Sequence, residues 1–337
     1  MRTYQLESPG SVEGIVARER ERPAPGPTEV LVRVRAASLN RRDAMILEGS
    51  YPLPASPGVV PLSDGAGEVV AVGERVSRYR VGDRVLGAYW PRWQAGRLTP
   101  ELFDQLGNTL DGMLTEYALL DEQWAVRVPE QLSWAEAATL PCAGVTAWTA
   151  LTHGRPLRPG QTVLTLGSGG VSLFALQLAK AMGCRVLVTT SDPAKAGRLK
   201  ALGADEVIDY TAVPEWSTAV RELTGGAGAD LVVETVGART LEQSMRSVAL
   251  DGEVVLIGAG SGERYLKIEQ ATYARTMATL RRVFVGSRQD TEDLVRAVAG
   301  HGIHPVIDRG FDFTEARAAY EHYLGGRAFG KVVVELP

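Results

Sequence analysis

Residues 163–181 read VLTLGSGGVSLFALQLAKA. Val163, Leu164, Thr165 and Leu166 form a short apolar run of the kind that becomes a buried strand. Gly167, Ser168, Gly169 and Gly170 make a turn. From Val171 onward apolar side chains recur at helical spacing: Val171, Phe174, Ala175, Leu178 and Ala179. Strand, glycine turn and helix are the setting that a dinucleotide fingerprint requires. Glycine lets the backbone pass close to a pyrophosphate, and the helix start offers unpaired N–H groups with a partial positive charge. The third fingerprint glycine falls at Ser172, which predicts slightly looser packing of this helix on its strand.

Downstream, strand patterns fall at 162–166, 185–189, 206–208, 231–234, 254–257 and 283–286, with helical patterns between most of them. That alternation predicts a doubly wound parallel sheet. Upstream, residues 1–127 read as mostly β. EVLVRVRA at 29–36 alternates apolar and charged residues, GEVVAV at 67–72 is a second strand, and GDRVL at 82–86 turns into a third. Dense Pro and Gly punctuation argues for a barrel-like core with long loops. Residues 90–112 are irregular, with a short helix expected near 100–106, and a loop of that length is usually functional. Ser133 with Glu136 three residues on predicts a capped helix start. Thr291 is read as the N-cap of a helix over 291–299, followed by a helix at 314–324 and a strand at 331–335.

The composition is that of an ordinary globular chain: 337 residues, 45% hydrophobic and 23% charged. A net charge of −4 gives no electrostatic case for nucleic acid or an anionic membrane as partner. Cys142 and Cys184 are too few for a disulfide framework, and neither lies in a CxxC. The opening residues MRTYQLESPG carry no apolar signal region, and no apolar run approaches a membrane span, so a cytoplasmic location is expected.

Charge at the second strand bears on the cofactor. An acid about 20 residues past the glycine turn takes the ribose hydroxyls of NAD, whereas cationic groups there accommodate the 2′-phosphate of NADP. Counting back from Leu202, Gly203 and Ala204, that position is Thr190. Ser191 follows, then Lys195 and Arg198, and Tyr210 ends the third strand region. Hydroxyls with a lysine hold a phosphate, and an acid at Thr190 repels it. NADPH is therefore expected over NADH. Asp192 is the counter-indication, although it also serves as an N-cap before Pro193. Lys195 and Arg198 also read as solvated helix charges.

Several further motifs carry a resemblance: NRRD at 40–43, SDGAGEVVAVG at 63–73, GDRV at 82–85, LPCAGVTAW at 140–148, LGADEVIDY at 202–210 and GKVV at 330–333. With the glycine turn, these resemble the medium-chain dehydrogenase/reductase superfamily over nearly the full length, and most closely its zinc-free quinone oxidoreductase-like branch. The resemblance implies a GroES-like β domain (residues 1–127 and 291–337) and a Rossmann-type NADP-binding domain (residues 128–290), with the active-site cleft at their junction. It also implies a homodimer through edge strands near 283–286. In zinc-dependent relatives the catalytic ligand positions match Asn40, Ser63 with its neighbour Asp64, and Cys142. Only the last keeps a ligand type, while three are needed, so no metal is expected. The structural zinc site needs four clustered cysteines, and residues 89–112 contain none. Arg42 stands at the hydroxyl position of the proton relay.

The implied chemistry is hydride transfer from NADPH to a small electron-poor acceptor, a quinone or an α,β-unsaturated carbonyl. Such an acceptor spreads the developing charge, so hydrogen bonds replace the metal. By the same resemblance Asn40 lies near the nicotinamide, where its amide reaches the ribose or the acceptor oxygen. Tyr51 stands at the substrate mouth, to donate a proton or stack on a ring, and Thr146 contacts the nicotinamide. Cys142 lines the cofactor as a small buried hydrophobe rather than a nucleophile. The strand ends Val236–Gly237, Ile257–Gly258 and Val285–Gly286 lie at the sheet edge where cofactors bind. Lys331 reaches the cofactor ribose or sits on the surface. Trp90, Trp93 and Phe103 wall the substrate pocket or pack their own loop. An alcohol dehydrogenase and a non-catalytic NADPH-binding protein are the alternative readings.

Overall fold

The computed structural model describes residues 1–258 and 265–337. Two compact units emerge: Met1–Val145 with Gly286–Pro337, and Thr146–Val285. The first unit opens with an antiparallel pair, β1 (Arg2–Leu6) and β2 (Ile15–Glu19). It continues through β3 (Glu29–Ser38), β4 (Asp64–Val72), β5 (Arg84–Gly87), β6 (Tyr117–Asp121) and β7 (Ala125–Arg127). The alternation of 29–36 does what a half-buried strand must: Val30, Val32 and Val34 enter the hydrophobic core while Arg33 and Arg35 stay partly exposed.

The second unit is built on β8 (Thr162–Leu166), β9 (Arg185–Thr190), β10 (Glu206–Asp209), β11 (Ala229–Glu234), β12 (Val248–Leu256) and β13 (Thr279–Arg282). The chain then returns to the first unit with β14 (Ile307–Asp312) and β15 (Lys331–Glu335), completing a seven-stranded sheet in which β14, β15, β3, β4, β5 and β7 neighbour in that order and β6 pairs with β3.

The six strands of the second unit pair in parallel in the order β10-β9-β8-β11-β12-β13. Helices return the chain between them, so both faces are covered and every residue of β8 is buried. The order reverses between β8 and β11, the switch point at which such sheets bind ligands. This is the doubly wound parallel sheet expected from the sequence, alongside the expected β domain. Ser172 is buried, and its hydroxyl donates to Leu166 O at 2.6 Å. The residue that replaces a glycine thus ties helix Gly170–Ala181 to its strand instead of loosening it.

The structure differs from the sequence reading in four places. The last sheet strand is Thr279–Arg282, not 283–286. Arg281 bonds Glu253 at 2.6 Å and so fixes the register one segment earlier, where Glu253 pairs with Thr279. The helix expected from Thr291 starts at Arg288, capped by Ser287, whose hydroxyl accepts from Asp290 N. The expected helix near 100–106 is a single 3-10 turn, Pro100–Leu102. Residues 128–145 and 286–290 fall in the first unit rather than with the nucleotide-binding segment. Helix Trp134–Ala137 packs on β3 and β4, and the start of Arg288–His301 bonds the backbone of Trp93 and Gln94. Among the described residues, no helix is long and apolar enough to cross a membrane.

Candidate active site

In the second unit, Gly167 adopts φ +76°, and its N–H donates to Thr189 O at 2.9 Å, pinning the turn to β9. A Cβ added at Gly167 or Gly169 meets nothing within 4 Å, so the turn faces open space. Gly169 caps helix Gly170–Ala181 with no side-chain bond to its first amides. The amides at Gly170 and Val171 are therefore available to an anion, and Ser168 lies buried between the glycines. These are the features a pyrophosphate needs.

Thr190 ends β9, buried, with its hydroxyl accepting from Asp192 N at 3.2 Å. Its carbonyl accepts from Tyr210 N at 3.0 Å, which brings Tyr210 beside it. Ser191 and Tyr210 are exposed and Lys195 half-buried at this edge. Asp192 caps the turn Pro193–Lys195 by accepting from Ala194 N at 2.9 Å. One oxygen of this counter-indicating acid is thus engaged in holding local structure.

Glu234, not singled out by the sequence reading, organises the next two strand ends. Its carboxylate is fully buried and accepts from Val236 N at 2.8 Å, Gly237 N at 2.9 Å, Thr240 Oγ1 at 2.8 Å and Ser244 Oγ at 2.5 Å. Its carbonyl accepts from Ile257 N at 2.8 Å and Gly258 N at 3.1 Å. All four residues expected at these strand ends therefore bond to one residue. Gly258 lies so close to the Val236 backbone that a Cβ there collides. Thr149, also unforeseen, donates to Thr146 O at 3.2 Å and to Val285 O at 2.6 Å. It joins two expected cofactor contacts, with Gly286 following directly. Val285 sits at φ +55°, a strained conformation for a β-branched side chain.

In the first unit, Asn40 precedes helix Arg41–Leu47, and its N–H donates to Asp43 Oδ2 at 2.8 Å. Lys331, buried on β15, donates to Asn40 Oδ1 and Leu39 O, both at 2.5 Å, and lies 3.9 Å from Asp64 Oδ2. Asp64 also accepts from Ser63 Oγ at 2.7 Å and Cys142 N at 3.2 Å. Burial raises the Asp43 carboxyl to about 6, opposed by Arg42, and raises Asp64, opposed by Lys331. Burial also lowers the Lys331 ammonium. Cys142 keeps partial surface exposure, yet the protein around its sulfur pushes the thiol well up, so it stays neutral. Two acids and two bases share this buried cluster, so its charge balances.

Tyr51 belongs to a second polar group. Its hydroxyl lies 3.0 Å from that of Tyr89 and donates to Gln105 Oε1 at 2.9 Å. Tyr89 reaches the same oxygen at 3.2 Å, and Arg42 Nη2 at 3.3 Å. Arg42 also donates to Leu106 O at 2.9 Å and stands 5.5 Å and 5.1 Å from the Tyr51 and Tyr89 ring centres. Gln105 and Tyr89 lie far from Tyr51 in the chain and had no local signal. Trp90 and Trp93 are buried, and Phe103, exposed, packs tilted on Trp90 at 5.6 Å.

Residues 26–130 match the model of the alcohol dehydrogenase GroES-like domain, and residues 170–300 that of the zinc-binding dehydrogenases. A zinc-type alcohol dehydrogenase-like protein of Schizosaccharomyces pombe is 41% identical over 318 residues, covering 92% of this chain and 91% of that one. A quinone oxidoreductase of Pseudomonas aeruginosa is 33% identical, covering 98% of each. The crystal structure of an NAD-dependent alcohol dehydrogenase superposes with a TM-score of 0.90 at 34% identity over the whole of both chains.

The chain belongs to the medium-chain dehydrogenase/reductase superfamily. It is an oxidoreductase of that type, and its relatives bear both quinone oxidoreductase and alcohol dehydrogenase names. At the positions that the sequence reading matches to zinc ligands, Asn40, Ser63 with its neighbour Asp64, and Cys142, stand an amide, a hydroxyl beside a carboxylate, and a neutral thiol. The amide oxygen and the carboxylate both face the Lys331 ammonium. Zinc requires thiolate, imidazole or carboxylate donors. Among the described residues, no three His, Cys, Asp or Glu side chains converge as a metal site.

Proposed function

We propose that this chain is an NADPH-dependent oxidoreductase that delivers a hydride to a quinone or an α,β-unsaturated carbonyl without zinc. The observation that carries this reading is Lys331 Nζ at 2.5 Å from Asn40 Oδ1. A fixed ammonium beside the first ligand position opposes a dication and supplies positive charge of its own. An acceptor whose conjugation already spreads negative charge needs no more help than hydrogen bonds provide.

The glycine turn faces open space, and Thr190 replaces the ribose-binding acid, so the residues present fit NADPH. When bound, the reduced nicotinamide supplies the hydride. Gly167 to Val171 hold the pyrophosphate, Thr190, Ser191, Lys195 and Tyr210 the 2′-phosphate, and Val236, Gly237, Ile257 and Gly258 the adjoining ribose and nicotinamide end. Thr146 and the Val285–Gly286 backbone fix the ring, with Asn40, Cys142 and Lys331 completing the contacts. Asn40 and Tyr51 offer the acceptor oxygen hydrogen bonds. We also propose a homodimer through β13, an edge strand flanked by exposed Met277 and Phe284.

The test is NADPH oxidation across quinones, enones, aldehydes and alcohols, in both directions. Rapid turnover restricted to quinones or enones is expected. EDTA-sensitive alcohol oxidation with stoichiometric zinc would replace this reading with an alcohol dehydrogenase. Tight NADPH binding without turnover of any acceptor would replace it with a binding protein.

A further inference from the structure

We infer that Tyr89, Gln105 and Arg42 are positioning residues that hold Tyr51 as the proton donor to the reduced acceptor. This rests on the hydride-transfer reading above and adds the proton that reading leaves unassigned.

Gln105 is buried to 1% exposure, and its Oε1 has Tyr51, Tyr89 and Arg42 within 2.9 to 3.3 Å. An amide oxygen has two lone pairs, and Arg42 is a donor only, so Arg42 holds one of them. That requirement fixes the amide: reversing it sets an N–H pair against a guanidinium. Gln105 Nε2 is accordingly left buried with no hydrogen-bond partner. An unmet buried donor is destabilising, a cost accepted to keep the oxygen on the tyrosines.

The remaining lone pair serves one tyrosine at a time. With the two hydroxyls 3.0 Å apart, two patterns fill that lone pair. In one, Tyr51 donates to Gln105 and Tyr89 donates to Tyr51. In the other, Tyr89 donates to Gln105 and the Tyr51 proton turns elsewhere. Switching between them frees the Tyr51 proton while leaving no buried acceptor empty. Tyr89 and Arg42 are 4% and 6% exposed, and Tyr51 is the one residue of the group that stays partly exposed.

The acceptor gains a hydride at carbon from the reduced nicotinamide, a two-electron reduction. The resulting anion takes the proton as the Tyr51 O–H bond breaks. Tyr89 donates to the phenolate oxygen, and the permanently charged Arg42, 5.5 Å from the Tyr51 ring centre, favours the anion. Water then returns a proton to Tyr51. Arg42 thus stands where zinc-dependent relatives keep a relay hydroxyl, and the relay moves to tyrosine.

The experiment is steady-state turnover of NADPH with 2-cyclohexen-1-one and with 1,4-benzoquinone, in H2O and D2O. Tyr89→Phe and Gln105→Ala are expected to lower kcat about 10- to 100-fold. The acceptor KM and the NADPH Kd stay within about twofold, and the solvent isotope effect on kcat rises above that of wild type. Gln105→Glu recovers most of the loss, because a carboxylate keeps an acceptor on both hydroxyls. An unchanged isotope effect, a kcat loss matched by KM or Kd, or a Gln105→Glu variant no better than Gln105→Ala overturns the relay alone. A wild type that binds NADPH and reduces neither acceptor overturns the relay and the hydride-transfer reading together.

Discussion

At Glu234 a single carboxylate accepts from two backbone amides and two hydroxyls. Glu234→Gln keeps the size but sets a donor among donors. Charge-assisted bonds of this kind contribute about 1.5–3 kcal/mol, so a lower Tm and roughly tenfold weaker NADPH binding by fluorescence titration are expected. Thr190→Asp tests the phosphate pocket. A carboxylate about 5 Å from a phosphate charge is repelled by about 3 kcal/mol at an effective dielectric of about 20. The NADPH/NADH ratio of kcat/KM should fall about a hundredfold, and an unmoved ratio removes Thr190 from that pocket. Asp43, raised by burial to about 6, carries a pH signature. Its folded form holds the proton more tightly than the unfolded chain, whose carboxyl titrates near 3.9. Its contribution to stability is therefore complete below pH 4 and is lost as pH rises through about 6. Carboxyl NMR titration of the folded protein should find the midpoint of this group near 6. Thr190 was legible because it lies at a counted distance from a motif. Glu234 and Thr149 were not, because what they bond exists only after the sheet has formed.

The elements themselves were the most legible part of the chain. Strands β8, β9 and β11 follow apolar runs that burial on both faces demands. The Ser133–Glu136 box closed as its spacing required, with Glu136 N donating to Ser133 Oγ at 3.2 Å. Errors arose where two local signals competed. VFVG at 283–286 has strand composition, but pairing stops at Arg282, opposite the last residue of β12, and Val285 leaves the extended conformation at φ +55°. Ser287 and Thr291 both resemble caps, and Asp290 decided for Ser287 by accepting from its N–H at 2.7 Å. Ser287→Ala should cost about 1 kcal/mol in urea unfolding, whereas Thr291→Ala removes only a bond to the Ser287 carbonyl and should cost less. The N-terminal pair β1 and β2 escaped notice because polar residues interrupt both strands.

For the whole molecule the proposed homodimer sets the sharpest expectation. Among the described residues, β13 pairs on one side only, at the edge of the six-stranded sheet, next to Met277 at 68% and Phe284 at 53% exposure. Natural chains seldom leave such an edge bare. Light scattering should report twice the chain mass, and Leu280→Lys with Phe284→Lys should halve it while a single chain keeps its fold. The seven-stranded sheet and the parallel sheet each have their own core, and at one edge of the latter four backbone amides share one acceptor residue. Val236, Gly237, Ile257 and Gly258 are all tethered through Glu234. Their amides should therefore exchange with deuterium as one cooperative set, and shielding either pair should slow both.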